Sequence, residues 1–100
     1  MAYRSIDPVA TGRRLKNLRE IFHVKVSEIQ MYMEFNSPNA IYRWERGETI
    51  PSHDSLCNLH DFYEEYRNYT VHLEDIFVRY GEEKSAFVVD DQAPEIGGQY

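Results

Sequence analysis

Residues 26–47 constrain this chain more than any other stretch, because two short apolar-striped segments flank the turn-forming residues 34–38. Val26, Ile29 and Met33 recur at i, i+3 and i+7, the spacing of one helical face. Glu28 falls in the first turn of that helix, where an acid complements the helix dipole. After the turn, Ser37 is a natural N-cap and Pro38 suits the first position of the next helix. Ile41 and Trp44 share one side of it, which makes Trp44 a core residue rather than a stacking platform. Gly47 stands where a left-handed cap ends a helix. Asn39 and Arg43, four residues apart, share another face.

Helical signals continue on both sides. Asp7 is a good N-cap and Pro8 a good first helical residue, and Leu15, Leu18 and Phe22 then form a stripe. Arg13, Arg14, Lys16 and Arg19 decorate its flanks, while Gly12 costs this helix about 1 kcal/mol relative to alanine. Pro51 and Ser52 open a fourth helix with Leu56, Leu59 and Tyr63 as its stripe, extended by Tyr66. No glycine or proline interrupts residues 52–70, so this helix either runs long or bends near Arg67 and Asn68. A last short helix is expected over residues 72–78, with Leu73, Ile76 and Phe77 apolar. The expectation is an all-α, five-helix bundle over residues 7–78. Residues 79–100 are expected to form a mostly disordered acidic tail, with one possible strand at Ala86-Phe87-Val88-Val89.

One hundred residues suffice for one compact domain. The single cysteine, Cys57, makes no intramolecular disulfide, which fits a reducing compartment. No run of about 18 apolar residues is present to span a membrane, and residues 1–7 lack a signal-peptide core. A cytoplasmic protein is expected. The formal net charge of −6 argues against a nucleic-acid binder, but its distribution softens that objection. Up to Phe62, eight basic residues balance eight acidic ones, and the remainder holds three against nine. The excess therefore sits in the C-terminal part.

Two short helices joined by a tight turn, the second solvent-facing on one side, make a helix-turn-helix layout. The major groove of B-DNA admits one helix, provided one face is anchored and the other carries short polar and basic residues. Residues 11–78 resemble the Cro/repressor (XRE) family of helix-turn-helix proteins. The matching residues are Gly12, Leu15, Leu18, Arg19, Glu28, Ile29, Ile41, Trp44-Glu45-Arg46-Gly47, Pro51, Leu56 and Leu59. Residues 35–47 are similar to a bacterial subgroup with a Pro-Gln-Ala-Ile-Tyr-Lys-Trp type of recognition helix, and Asp75-Ile76-Phe77-Val78 resembles its closing helix. The resemblance implies a non-enzymatic regulator, most simply a repressor, that binds double-stranded DNA as a homodimer without a cofactor. It places Asn39, Ala40 and Arg43 against bases, and Arg46, Thr49 and the start of helix two at Lys25 against phosphates. Ser37, the cap of the recognition helix, is also placed against the phosphates, and Arg19 and Glu45 form a structural ion pair. Four departures stand out. Lys25 occupies an N-cap position that usually carries Ser or Thr, the turn before helix three is one residue longer than the commonest pattern, as in the similar subgroup, Glu48 puts an acid where a base is common, and residues 64–70 form an insertion.

Competing readings are weaker. His53, Cys57 and His60 lie at i, i+4 and i+7, a spacing that suits a metal, with Glu64 as the only close fourth ligand. Both histidines flank the Leu56/Leu59 stripe and read more simply as half-buried polar residues. Cys57 lacks a sequence environment that would lower its pKa, and no phosphate loop or hydrolase motif occurs. Tyr69 and Tyr80 are candidates for a dimer surface. A protein-interaction module, antitoxin-like or an adaptor, is the alternative that keeps the fold without tight DNA binding. The acidic tail is a candidate contact for a protein partner.

Overall fold

The computed structural model describes residues 5–82. The acidic residues beyond them, with the apolar patch at 86–89, lie outside the described part. Four α-helices carry the fold: α1 (Pro8–Ile21), α2 (Val26–Met33), α3 (Asn39–Glu45) and α4 (His53–Asp61). No strand occurs among the described residues, only an isolated antiparallel bridge between Ile6 and Arg79. The expected fifth helix is instead a single 3-10 turn, Leu73–Asp75. Its continuation is blocked because the backbone of Val78 is engaged sideways. The Val78 N–H donates to Thr11 Oγ1 at 2.9 Å, and its carbonyl accepts from Asp7 N–H at 2.7 Å. Tyr80 N–H then donates to Ser5 O at 2.9 Å, so the backbone pairing runs through residue 80.

Asp7 opens α1, its Oδ1 accepting from the N–H groups of Val9 and Ala10 at 3.1 Å each, with Pro8 behind it. The first three helices end alike. A left-handed residue follows each: His23 (φ 56°), Glu34 (φ 59°) and Gly47 (φ 78°). The N–H of that residue bonds three back and the N–H of the next bonds five back. The pairs are His23 to Glu20 and Val24 to Arg19, Glu34 to Met31 and Phe35 to Gln30, and Gly47 to Trp44 and Glu48 to Arg43. These bonds satisfy the carbonyls that a helix end would otherwise leave open. α3 begins one residue later than the sequence suggests. Pro38 is its N-cap, and Ser37 Oγ accepts from Asn39 N–H at 3.3 Å.

Leu15, Leu18 and Phe22 meet Val26 and Ile29 of α2, Ile41 and Trp44 of α3, and Leu56 and Leu59 of α4 in one core. Phe62, Tyr63, Val71 and Ile76 complete it. α1 and α3 touch backbone to side: a Cβ on Gly12 would overlap the carbonyl oxygens of Trp44 and Glu45. Arg14, expected on a solvated flank, is buried with 8% exposure. Burial pushes its pKa down, opposed by the nearby Asp75 carboxylate.

The segment of residues 64–70 is short and tightly held. α4 gives way to a π turn, Phe62–Tyr66, whose i→i+5 closure is the Arg67 N–H to Phe62 O bond of 3.3 Å. The wider winding rotates the apolar stripe. Tyr63 stays inside at 2% exposure, whereas Tyr66, expected in the core, stands 69% exposed. Asn68 takes φ 61° and turns the chain back. Tyr69 then stacks on Phe22 with ring centroids 3.9 Å apart, so it belongs to the fold more than to a free surface. Arg67 reaches Glu28 Oε2 at 3.0 Å and Phe22 O at 3.4 Å, pinning this segment to the start of α2.

Thr11, 1% exposed, both donates to Val78 O (3.2 Å) and accepts from Val78 N–H. Thr11→Val keeps the shape but strands a buried N–H, which should cost about 1–3 kcal/mol. Thr11→Ser should lose less, because its hydroxyl remains. Chemical denaturation of the two variants checks this order, and a Thr11→Val protein as stable as wild type would refute it.

Candidate nucleic-acid interface

α3 has the two faces a groove-reading helix needs. Ile41 and Trp44 are buried at 2% and 6% exposure, and Phe35 packs edge-on against the Trp44 ring. Asn39, Tyr42, Arg43 and Arg46 are all exposed. Ala40 is half-buried and packs on the margin of the core, at the rim of that face. Tyr42, 43% exposed, was not among the sequence-derived site residues. Helical spacing from Asn39 (i+3) and to Arg46 (i+4) could have found it.

Two contacts set how α3 is held. One is the close approach at Gly12. The other is the Arg19–Glu45 pair, in which Arg19 Nε donates to Glu45 Oε2 at 2.7 Å and Nη2 donates to Oε1 at 3.0 Å. The pair is largely shielded, with side-chain exposures of 17% and 9%. The Glu45 hydrogen bond raises the Arg19 pKa above its ordinary value, against an opposing desolvation effect. Arg19 also donates to Val24 O at 3.4 Å. These bonds tie the last turn of α1, the α1–α2 turn and the end of α3 together.

The groups assigned to phosphates differ in how available they are. Lys25 and Thr49 are exposed and Ser37 is half-buried. Arg46 is engaged: its Nε donates to Glu48 Oε2 at 2.7 Å and its Nη2 to Oε1 at 3.3 Å. That bond raises the Arg46 pKa and lowers that of Glu48. At the start of α2, Lys25 has no side-chain acceptor to cap the helix. Glu28 substitutes by accepting from Lys25 N–H at 2.8 Å through Oε1, while its Oε2 holds Arg67. A carboxylate therefore already sits at that helix terminus.

Other chemistry finds less support in the geometry. Among the described residues, no three His, Cys, Asp or Glu side chains converge to hold a metal ion. His53 is exposed rather than half-buried, 3.6 Å from Cys57 Sγ, because it stands at the first position of α4. His60 lies between Asp61 (3.3 Å) and Glu64 (3.6 Å). The void between Leu15, Ile29, Ile41, Trp44, Leu59 and Tyr63 measures about 10 Å³, room for one water at most. No helix among the described residues is long and apolar enough to cross a membrane. No protein-family model, curated protein or solved structure matches the chain.

Proposed function

We propose that this chain is a helix-turn-helix protein that binds duplex DNA sequence-specifically through α3. More particularly, it acts as a cytoplasmic, non-enzymatic transcriptional repressor of the Cro/repressor type, working as a homodimer. The observation that carries the reading is the division of α3. Its inner face is locked by Ile41, Trp44, Gly12 and the Arg19–Glu45 pair, and its outer face offers Asn39, Tyr42, Arg43 and Arg46. Arg43 suits a bidentate contact to guanine O6/N7 and Asn39 one to adenine N6/N7, each worth about 1–3 kcal/mol of discrimination. Ala40, at the rim, suits a thymine methyl. Lys25, Ser37, Arg46 and Thr49 serve the phosphates, with Arg46 exchanging Glu48 for the DNA backbone.

Selection of bound duplexes from a random pool, run on wild type and Arg43→Ala, tests this. Wild type should enrich one motif, and Arg43→Ala should relax it at a guanine while leaving the fold intact. Two half-sites about one helical turn apart would report the dimer. No enrichment at low salt would overturn the reading.

A second reading is favoured by the clamping of Arg46 by Glu48 and the carboxylate of Glu28 at the start of α2. Both weaken the attraction for phosphate, as a protein-interaction module of antitoxin or adaptor type would allow. Any duplex affinity would then be nearly independent of salt, whereas phosphate contacts make it fall steeply.

A further inference from the structure

We propose that the acidic segment of residues 83–100 docks in cis on the basic corner where the end of α3 meets α1. Arg13, Lys16, Arg43 and Arg46 receive its carboxylates. That docking would compete with DNA phosphate rests on the DNA-binding reading above, whereas the docking itself does not.

The place where the described chain ends supports this first. Tyr80 N–H bonds Ser5 O and Asp7 N–H bonds Val78 O, so the outgoing chain lies against the residues that lead into α1. Glu82 is held there, its carboxylate accepting from Arg79 N–H at 2.9 Å. α1 begins at the next residue, Pro8. Val9, one residue on, abuts the end of α3 so closely that a Cβ on Gly47 would lie 2.9 Å from Val9 Cα. The exit ribbon, the start of α1 and the end of α3 are therefore contiguous.

Charge and reach agree with this. On α1, Arg13 lies one turn beyond Val9, and Lys16 one turn beyond Gly12, the residue pressed on Trp44 and Glu45. Arg13, Lys16 and Arg43 are exposed and form no ion pair with a described residue. The acids at this corner are Glu45, held by Arg19; Glu48, held by Arg46 and also attracting Arg43; Glu20, one turn beyond Lys16; Asp7, which caps α1; and Glu82 on the exit ribbon. Residues 83–100 bring Glu83, Asp90, Asp91 and Glu95 against Lys84 alone. Asp90 lies eight residues past Glu82, and eight residues span up to about 28 Å. A helical turn rises only about 5 Å, so that span equals roughly five turns, against the single turn that separates Arg43 from Gly47. A tethered anion of this kind acts at an effective concentration in the millimolar range.

Zero-length carbodiimide coupling of the full chain tests the docking without DNA. The lysines are Lys16, Lys25 and Lys84. At low salt Lys16 should couple to Asp90, Asp91 or Glu95 within one molecule, as verified by mixing nitrogen-15-labelled and unlabelled chains. Screening at about 0.5 M salt should cut the yield several-fold. No such intramolecular link, or a yield indifferent to salt, would overturn the docking. A full-length variant carrying E83Q, D90N, D91N and E95Q should then bind a random-sequence duplex at least about threefold more tightly at low salt, converging with wild type at high salt. Links without any duplex binding by either protein would leave the docking standing and remove the DNA-binding reading. Duplex binding equal in both proteins, with no link, would do the reverse.

Discussion

Gly12→Ala should destabilise this protein, although alanine is the better helix former. Helix propensity alone would favour the variant by about 1 kcal/mol. Against it stands the carbonyl backbone of Trp44 and Glu45, which the new methyl would overlap. Backbone cannot move aside as a flexible side chain does, so α1 and α3 must separate. Overpacking of this kind costs about 1–3 kcal/mol or more, and the sign of the net effect follows from that excess. For a domain of this size each kcal/mol lowers the melting temperature by roughly 4–8 °C. Arg13→Ala, at the exposed next position, is the control, and should stay within about 0.5 kcal/mol of wild type. A Gly12→Ala protein that melts at or above wild type would show that the helices do not meet at this residue. The same displacement tilts α3, so its outer face should lose any bound partner even under conditions where the variant remains folded.

Gly12 shows what the sequence makes legible and what it hides. In a window of α1 it is only a poor helix residue, because the reason for it lies in α3, more than thirty positions away. Periodicity exposes the elements whose signal is local: the stripes of α1, α2 and α4, the inward Ile41 and Trp44, and Gly47 as a helix stop. The other two helix ends carry left-handed His23 and Glu34 without a glycine, so no composition cue marks them. Thr11 and Arg14 are buried and interact with the returning chain, Thr11 with Val78 and Arg14 with the Asp75 carboxylate, long-range partners that no spacing encodes. The π turn removes Tyr66 from the core by altering the winding on which the stripe was read.

At the interface, the outward placement of Asn39 and Arg43 follows from the helical period. The engagement of Arg46 does not, because Glu48 reads in sequence merely as an acid in the place of a base. Glu28 is similar. Its position in the first turn of α2 suggests a dipole contact, but its grip on Arg67 depends on a segment whose course the sequence leaves open.

The Arg19–Glu45 pair should produce the second large effect, and an asymmetric one. Glu45 ends α3, where the negative pole of the helix makes a carboxylate unfavourable. Among the described residues Arg19 is its ion-pair partner, and the Glu45 side chain is only 9% exposed. Arg19→Ala therefore leaves a nearly buried anion at the wrong end of a helix. Losing one partner of a buried pair costs about 3–5 kcal/mol, and the residual exposure of this pair points to the lower part of that range. Glu45→Ala leaves a guanidinium that still donates to Val24 O and retains some access to water, so it should cost less. Arg19→Met with Glu45→Leu removes both charges while keeping bulk, and should recover most of the stability, since apolar replacement of an ion pair is often neutral or better. Denaturation midpoints of the four proteins give the order wild type and double variant above Glu45→Ala, with Arg19→Ala lowest. Equal losses in the two single variants would contradict the dipole argument, and a double variant as weak as Arg19→Ala would mean that the pair fixes the approach of α3 in a way packing cannot replace. Under the proposed DNA-binding reading a separate consequence follows for the double variant: α3 keeps its anchor through Ile41, Trp44 and Gly12, so sequence preference at the Arg43 position should survive even where affinity falls.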